Sequence, residues 1–329
     1  MNSFEIYSLK ILRKLYTKIL HVQPLPKPAC ILDPNLASEI LYRKLEQDKP
    51  CMIARFGSTE LTTLVNYLGV KYSNKSFLKY IKSESLSWWW NDNIIEQMQR
   101  WSGFFPPTLE KIEQFCELMM EDMKGVDVLG SWLSNENYIE ENIGDNTKIH
   151  LRFLEPFWAI EPWTRSLKGK KVLVIHPFAE TILQQYEKRE YLFEQKDILP
   201  EFASLSVIKA VQTLGQASDE FEDWFEALNS MKIQIDNTEF DVCLIGAGAY
   251  GFPLAAHIKR MGKKAVHLGG SLQLLFGIKG KRWEDPTYGV REWGIPYGFY
   301  LSLMNEYWVR PLNTEKPSTA DKVEGACYW

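Results

Sequence analysis

Five histidines and five cysteines in 329 residues leave little material for a metal centre or a covalent framework. The cysteines (Cys30, Cys51, Cys116, Cys243 and Cys327) are odd in number, scattered, and never paired as C-x-x-C. That pattern points away from a disulfide scaffold or a zinc site and suits a reducing compartment. The histidines (His21, His150, His176, His257 and His267) are too few for a histidine-rich metal site. No run of eighteen apolar residues occurs, so no segment reads as a membrane span. An excess of positive charge is missing too. With a formal net charge of -4 the chain lacks the basic surface that phosphate neutralisation needs, and a nucleic-acid partner is not expected. No internal repeat is visible.

Aromatic side chains are what the chain has in quantity, at 13% with twelve tryptophans. Rings offer stacking faces to sugars and bases, although most rings in any protein are core. Hydrophobic residues at 45% and charged residues at 24% are ordinary for a globular protein. The length favours one large α/β unit or two lobes.

Residues 4–22 place Leu9, Leu12, Leu15, Tyr16, Ile19 and Leu20 at helical spacing, with Lys10, Arg13, Lys14 and Lys18 between them. Charges interrupt the apolar core that a signal peptide would need. Two readings stand: a basic amphipathic helix lying peripherally in an anionic membrane interface, or a helix packed on the domain or on a second copy. The Pro-rich stretch 23–28 then reads as a stiff linker.

From Pro34 onward strands alternate with helices. Helices are expected over 36–47, 60–68, 109–123, 179–195, 218–231 and 250–261. Strands are expected over 52–54, 126–129, 149–154, 171–175, 205–211, 241–245 and 265–268. A Trp-rich region over 73–107 shows no strand character. This alternation predicts an α/β fold, a Rossmann-like, mostly parallel sheet with helices on both faces, preceded by an N-terminal amphipathic helix. The expected organisation is a helix and linker over 1–28, a single domain over 29–308 with a helical Trp-rich insertion over about 73–123, and a tail over 309–329 that wraps the surface as coil.

Two motifs carry chemistry. The first is Cys51-Met-Ile-Ala-Arg-Phe-Gly-Ser-Thr-Glu60, an apolar strand that empties into Arg55, Gly57 and Glu60. Ligands of open α/β sheets bind beyond the carboxyl ends of the strands. An arginine there can hold a phosphate bidentately, and a carboxylate can hold a metal or a sugar hydroxyl. The plainer alternative is a helix start capped by Ser58 or Thr59, with Glu60 on the helix dipole.

The second motif is Gly246-Ala-Gly-Ala-Tyr-Gly251, a G-x-G-x-x-G run between a strand and a helix. Its glycines let backbone approach a pyrophosphate and offer N–H groups to it, or serve only for tight packing. A nicotinamide site would need an acidic residue about twenty positions on. The next strand ends instead in Val266-His267-Leu268-Gly269-Gly270. A phosphate-binding loop for some other nucleotide is therefore the favoured expectation.

Arg55-x-Gly57-x-x-Glu60, followed far downstream by a strand, glycine loop, helix and strand ending at His267 to Gly270, resembles the GT-D-type glycosyltransferases. These are bacterial enzymes of surface polysaccharide and glycoprotein glycan assembly. The resemblance covers about 50–277 and is nearest to the branch described by R-x-G-x-x-E. It implies a nucleotide-sugar-dependent transferase that moves sugar to a glycan or lipid-linked acceptor, cytoplasmic or peripheral on the inner face of the cell membrane. Another branch carries R-F-G-D-G-E, whose Asp-x-Glu pair holds metal and nucleotide sugar. Here Ser58 replaces the first acid, so a divalent cation (Mg or Mn) would rest on Glu60 alone among these carboxylates, held mainly by diphosphate and water.

The expected catalytic residues are Arg55, to neutralise the leaving diphosphate, and Glu60 or His176, to take the acceptor proton, with Glu155 and His267 behind them. Donor binding is expected from Gly57, Ser58, Gly246, Ala247, Gly248, Tyr250, Gly251, His267 and Gly269. Trp132 and Asn135 are further donor candidates, and Lys279, Lys281 and Arg282 form a small basic cluster. His176 also reads as a capping or core histidine. Two other classes remain open: an NAD(P)-dependent oxidoreductase built on Gly246 to Gly251, and a non-catalytic scaffold attached to a membrane through the N-terminal helix.

Overall fold

A computed structural model describes residues 1–213, 218, 220–317 and 327–329. Seven parallel strands form one sheet: β1 (Cys51–Ala54), β2 (Val128–Ser131), β3 (Thr147–His150), β4 (Lys171–His176), β5 (Ser204–Lys209), β6 (Val242–Ile245) and β7 (Lys264–His267). Their order is β3-β2-β1-β7-β6-β4-β5, and every pairing is parallel. The fold is Rossmann-like, as expected.

The strands are short apolar runs because both faces are covered. Side chains alternate between the two faces. Met52, Ala54, Leu173, Ile175, Cys243, Ile245 and Ala265 enter one core. Cys51, Ile53, Val172, Val174, Val242, Leu244 and Val266 enter the other. Helices Ser58–Tyr72, Leu109–Asp122, Trp224–Asp236 and Gly251–Arg260 cover the first face; Pro34–Glu46, Ala179–Tyr186 and Leu272–Leu275 cover the second.

This coverage fixes where a ligand crevice forms. After β1 and β6 the chain departs to the first face, whereas after β7 and β4 it departs to the second. Adjacent strands whose chains part in opposite directions leave a gap at their carboxyl ends, the switch point of an open α/β sheet. Here the gap spans β1, β7, β6 and β4.

Several expected elements differ. Residues 149–154 do not continue as a strand; Leu151–Leu154 is a 3-10 turn, entered as His150 Nδ1 accepts from the Arg152 N–H at 3.3 Å. The helix expected over 179–195 breaks into Ala179–Tyr186 and Arg189–Leu192. The helix expected from 218 begins at Trp224, capped by Asp223, and part of the preceding stretch lies outside the described residues.

The tail does not simply wrap the surface. Val309 bridges to Ile278, buried Glu315 accepts from the Glu180 N–H at 2.7 Å, and Cys327 and Trp329 are buried. Residues 318–326 of that tail lie outside the described residues.

The N-terminal helix, Ser3–Ile19, docks through one face only. Leu9 is buried and Ile6 partly so, both packed against Tyr80, Trp88 and Trp89, and Arg13 donates to the Ser83 hydroxyl at 3.1 Å. Its other apolar residues, among them Phe4 (79% exposed), Ile11, Leu15 and Ile19 (69%), face outward. Among the described residues, no helix is long and apolar enough to cross a membrane.

Candidate functional site

β1 delivers the first motif to the crevice. Phe56 is buried and stacks on Phe252 at 4.6 Å, which turns the half-buried Arg55 toward the opening. The helix that follows starts at Ser58 with Gly57 at its cap, and neither Ser58 nor Thr59 provides a side-chain cap. Glu60 instead folds back over Gly57, where a Cβ would lie 1.8 Å from Glu60 Oε2. Any side chain at position 57 would evict the carboxylate. Thus the spacing Gly-x-x-Glu fixes an acid at the strand's mouth.

The guanidinium of Arg55 lies against Gly269, whose ideal Cβ position is 3.4 Å from Arg55 Nε. That Nε is buried without a hydrogen-bond partner among the described residues. The Trp132 ring faces Arg55 Cζ at 6.0 Å, and its indole N–H donates to the Phe56 carbonyl at 3.3 Å. Behind Trp132, buried Glu136 accepts from the Trp132 and Leu133 N–H groups at 2.9 Å each and from the Ser131 hydroxyl. Sequence reasoning passed over Glu136, whose position beyond a strand carries no motif.

A cavity of about 580 Å³ brings the two distant motifs together. Arg55, Gly57, Ser58, Thr59 and Glu60 line it from β1, Gly248 from β6, and His267 and Gly269 from β7. The segment that begins at the basic cluster closes it with Arg282, Asp285, Tyr288 and Trp293. Of the small basic cluster in the sequence, Arg282 is the member on this wall.

His267 is 2% exposed, and neither ring nitrogen has a hydrogen-bond partner among the described residues. Burial, then the Arg55 charge, push its pKa down to about 3, so the ring is neutral at pH 7. The ring packs on Gly251, where a Cβ would lie 2.3 Å from Nε2.

The glycine loop contributes less backbone than its pattern suggests. The N–H of Gly246 donates to Ile175, that of Tyr250 to Ala247 and that of Gly251 to Gly248. Gly246 is a glycine for packing, since a Cβ would lie 2.6 Å from His176 Cδ2 and 2.8 Å from the Gly269 carbonyl. Gly251 lies beneath His267 and lines neither this cavity nor its neighbour. Only Gly248, at φ +53°, stands at the cavity with open space around it. Anion binding by this loop would therefore fall to the N–H groups of 247–249.

His176 occupies a different place from the expected one. It lines a second cavity, of about 120 Å³, with Gly246, Ala247, Tyr250 and Phe178, apart from Arg55 and Glu60. Its Nδ1 accepts from the Phe178 N–H at 3.0 Å, and burial holds its pKa at about 3. With Nδ1 occupied, the neutral ring carries its proton on Nε2 and is a donor, so it does not serve as the acceptor's base. Tyr250 stacks flat on Trp224 at 4.8 Å and presents little surface.

Glu155 is buried, accepts from Trp158 Nε1 at 3.0 Å and from the Tyr300 hydroxyl at 2.8 Å, and is pushed up to about 7 by burial. It lines a small annex that also touches Arg55 and Arg282. Asn135 donates to the Thr62 hydroxyl at 3.4 Å and does not line the main cavity.

Among the described residues, no three of His, Cys, Asp or Glu converge as metal ligands. A divalent cation takes six or more oxygens. Glu60 is the single acid of the strand-end motif, so a divalent cation bound there would take most of its ligands from diphosphate and water. Comparison with protein-family models, with curated proteins and with solved structures found no match to this chain.

Proposed function

We propose that the chain is a nucleotide-sugar-dependent glycosyltransferase that moves a sugar to a glycan or lipid-linked acceptor of bacterial surface polysaccharide or glycoprotein glycan. One observation carries the reading. Arg55, Glu60 and the ends of β6 and β7, about 190 residues apart in sequence, line one cavity large enough for a sugar diphosphate.

Sugar transfer breaks the bond between the anomeric carbon and the β-phosphate oxygen, and negative charge grows on the departing diphosphate. Arg55 offers its guanidinium, whose Nε is already desolvated and has no partner among the described residues, so little reorganisation accompanies charge development. The loop N–H groups near Gly248 add to the same pole. Glu60, held over Gly57 at the cavity wall, takes the proton of the attacking hydroxyl. Neutral His267, buried between Gly251 and Arg55, holds the wall of the site in place. No step is routed through a metal.

The exposed face of the N-terminal helix supports a peripheral contact with an anionic membrane at the cytoplasmic side. Phe4, Ile11, Leu15 and Ile19 face outward, with Lys10, Lys14 and Lys18 exposed alongside them.

The test is a thermal-shift panel of nucleoside diphosphates, nucleotide sugars and NAD(H), each with and without Mn²⁺. Stabilisation by one nucleoside diphosphate and its sugar, with turnover abolished in Glu60→Gln while the melting temperature is kept, is the expected result. A shift with NAD(H) alone overturns the proposal in favour of the oxidoreductase. Full turnover in Glu60→Gln removes the carboxylate from the mechanism.

A further inference from the structure

The two cavities are neighbours, and the final residues of the chain stand between them. Tyr328 lines both, as do Trp101, Ser102, Gly248 and Gly270; Trp329 lines only the smaller. We infer that Tyr328 and Trp329 are donor-binding residues, Trp329 forming the aromatic wall of a nucleobase subsite in the smaller cavity and Tyr328 the bridge beneath which the diphosphate passes to Arg55. The inference rests on the nucleotide-sugar reading and adds to it a subsite.

The strap is built into the domain by specific contacts. Gln273, fully buried, donates to the Tyr328 carbonyl at 3.2 Å, and the Arg282 N–H donates to the Cys327 carbonyl at 3.0 Å. Arg282 Nη1 donates to the Tyr328 hydroxyl at 3.1 Å, and its guanidinium lies 4.7 Å from the Tyr328 ring. The ring is seated so closely on Gly270 that a Cβ there would lie 2.3 Å from Tyr328 Cε1. Trp329 is buried 5.8 Å from Phe178, inclined at 72°, and its indole N–H has no partner among the described residues.

These contacts dictate what the smaller cavity can take. Its walls are the Trp329, Phe178 and His176 rings with the backbone of Gly246 to Gly248, and its polar atoms include Thr213 and Gln273. Gln273 Oε1 and Trp329 Nε1 are buried behind these walls without a partner among the described residues, and neither opens onto the cavity. Flat apolar faces suit a planar heterocycle. A sugar, with hydroxyls around its whole rim, would leave most of them unpaired against rings. Arg282 and Arg55 both line the larger cavity next door, so a base in the first and a diphosphate leading into the second follow the order of groups in a nucleotide sugar.

The experiment measures dissociation constants of nucleoside diphosphates and of inorganic pyrophosphate by calorimetry, on the unaltered chain and on Trp329→Leu. Leucine keeps the site apolar while removing the flat face. Base stacking on an aromatic ring accounts for about a tenfold affinity difference. Trp329→Leu is expected to lose about that factor for the best nucleoside diphosphate while holding pyrophosphate within about twofold. Equal nucleotide affinity in the two chains, or an equal loss for pyrophosphate, overturns the subsite and leaves the transferase reading standing. No nucleotide binding to the unaltered chain overturns both. Hydrogen exchange on the unaltered chain needs no variant. Added nucleoside diphosphate should slow exchange across Cys327–Trp329, and unchanged exchange there also overturns the inference.

Discussion

Replacing Glu136 with alanine tests whether one buried carboxylate holds the wall of the main cavity. A single Glu136 oxygen accepts from both the Trp132 and Leu133 N–H groups, and the other accepts from the Ser131 hydroxyl. A hydrogen bond to a charged acceptor contributes about 1.5–3 kcal/mol, and a buried donor left alone costs about 1–3 kcal/mol. Trp132 and Leu133 are only half-buried, so water relieves part of the loss and the three terms do not add. Glu136→Ala is expected to destabilise the fold by about 3–4 kcal/mol. Glu136→Gln keeps the oxygen that serves both backbone donors, and its expected cost is about 1–2 kcal/mol. Urea titrations followed by far-UV circular dichroism read both differences. Because the same loop presents Trp132 to Arg55, both variants should also weaken nucleoside diphosphate binding, alanine more than glutamine. An alanine variant within about 1 kcal/mol of the parent would refute this account. So would a glutamine variant as damaged as the alanine one.

Gly251→Ala sets a gain in helix propensity against a collision with a fully buried imidazole, 2.3 Å from the new Cβ. Overpacking costs about 1–3 kcal/mol and should win, lowering the melting temperature; a stabilised variant would show that His267 has room to move. His267 also makes a pH prediction. Its folded pKa of about 3 lies below the ordinary 6.5, so as pH falls between them the unfolded chain gains a proton that the native chain refuses. Its contribution to stability therefore falls by about 1.4 kcal/mol per pH unit of acidification in that window. His267→Gln should lose stability less steeply than the parent by that amount between about pH 6 and pH 4, and parallel curves would contradict the burial argument. For the N-terminal helix, Leu15→Asp with Ile19→Asp should abolish co-sedimentation with anionic vesicles and leave the melting temperature unchanged; retained binding would assign the exposed face to something other than lipid.

The sheet was legible because its strands are short apolar runs punctuated by turns, and local pattern carries that signal. The first motif was equally legible, since Gly57 and Glu60 meet within one helical turn. His176 was placed correctly at the end of β4. Its two readings, catalytic or capping, could not be separated there, because the Phe178 N–H that occupies Nδ1 is a backbone contact no side-chain pattern reveals. The glycines at 246 and 251 matched a phosphate motif, yet they answer to His176 and His267, residues outside the motif. Irregular segments hid the rest. Tyr288, Trp293, Tyr328 and Trp329 reach the cavities from stretches without helical or strand period. Nothing local tells such a ring from an ordinary core ring. The break at 187–188 was missed for a similar reason, since charged and polar residues continue there at helical spacing.

The place of β1 beside β7 has a consequence for how the molecule is made. β1 pairs early with β2, but its other edge waits for a strand some 210 residues later. At ribosomal rates of about 5–20 residues per second that wait lasts roughly 10–40 s. During it the nascent chain shows an unpaired, apolar strand edge, the feature most prone to wrong partners. Arg55 and Glu60 meanwhile face no opposing wall. A chain cut short before β7 therefore carries Arg55 and Glu60 without the His267 and Gly269 wall of the cavity, and keeps the β1 edge unpaired.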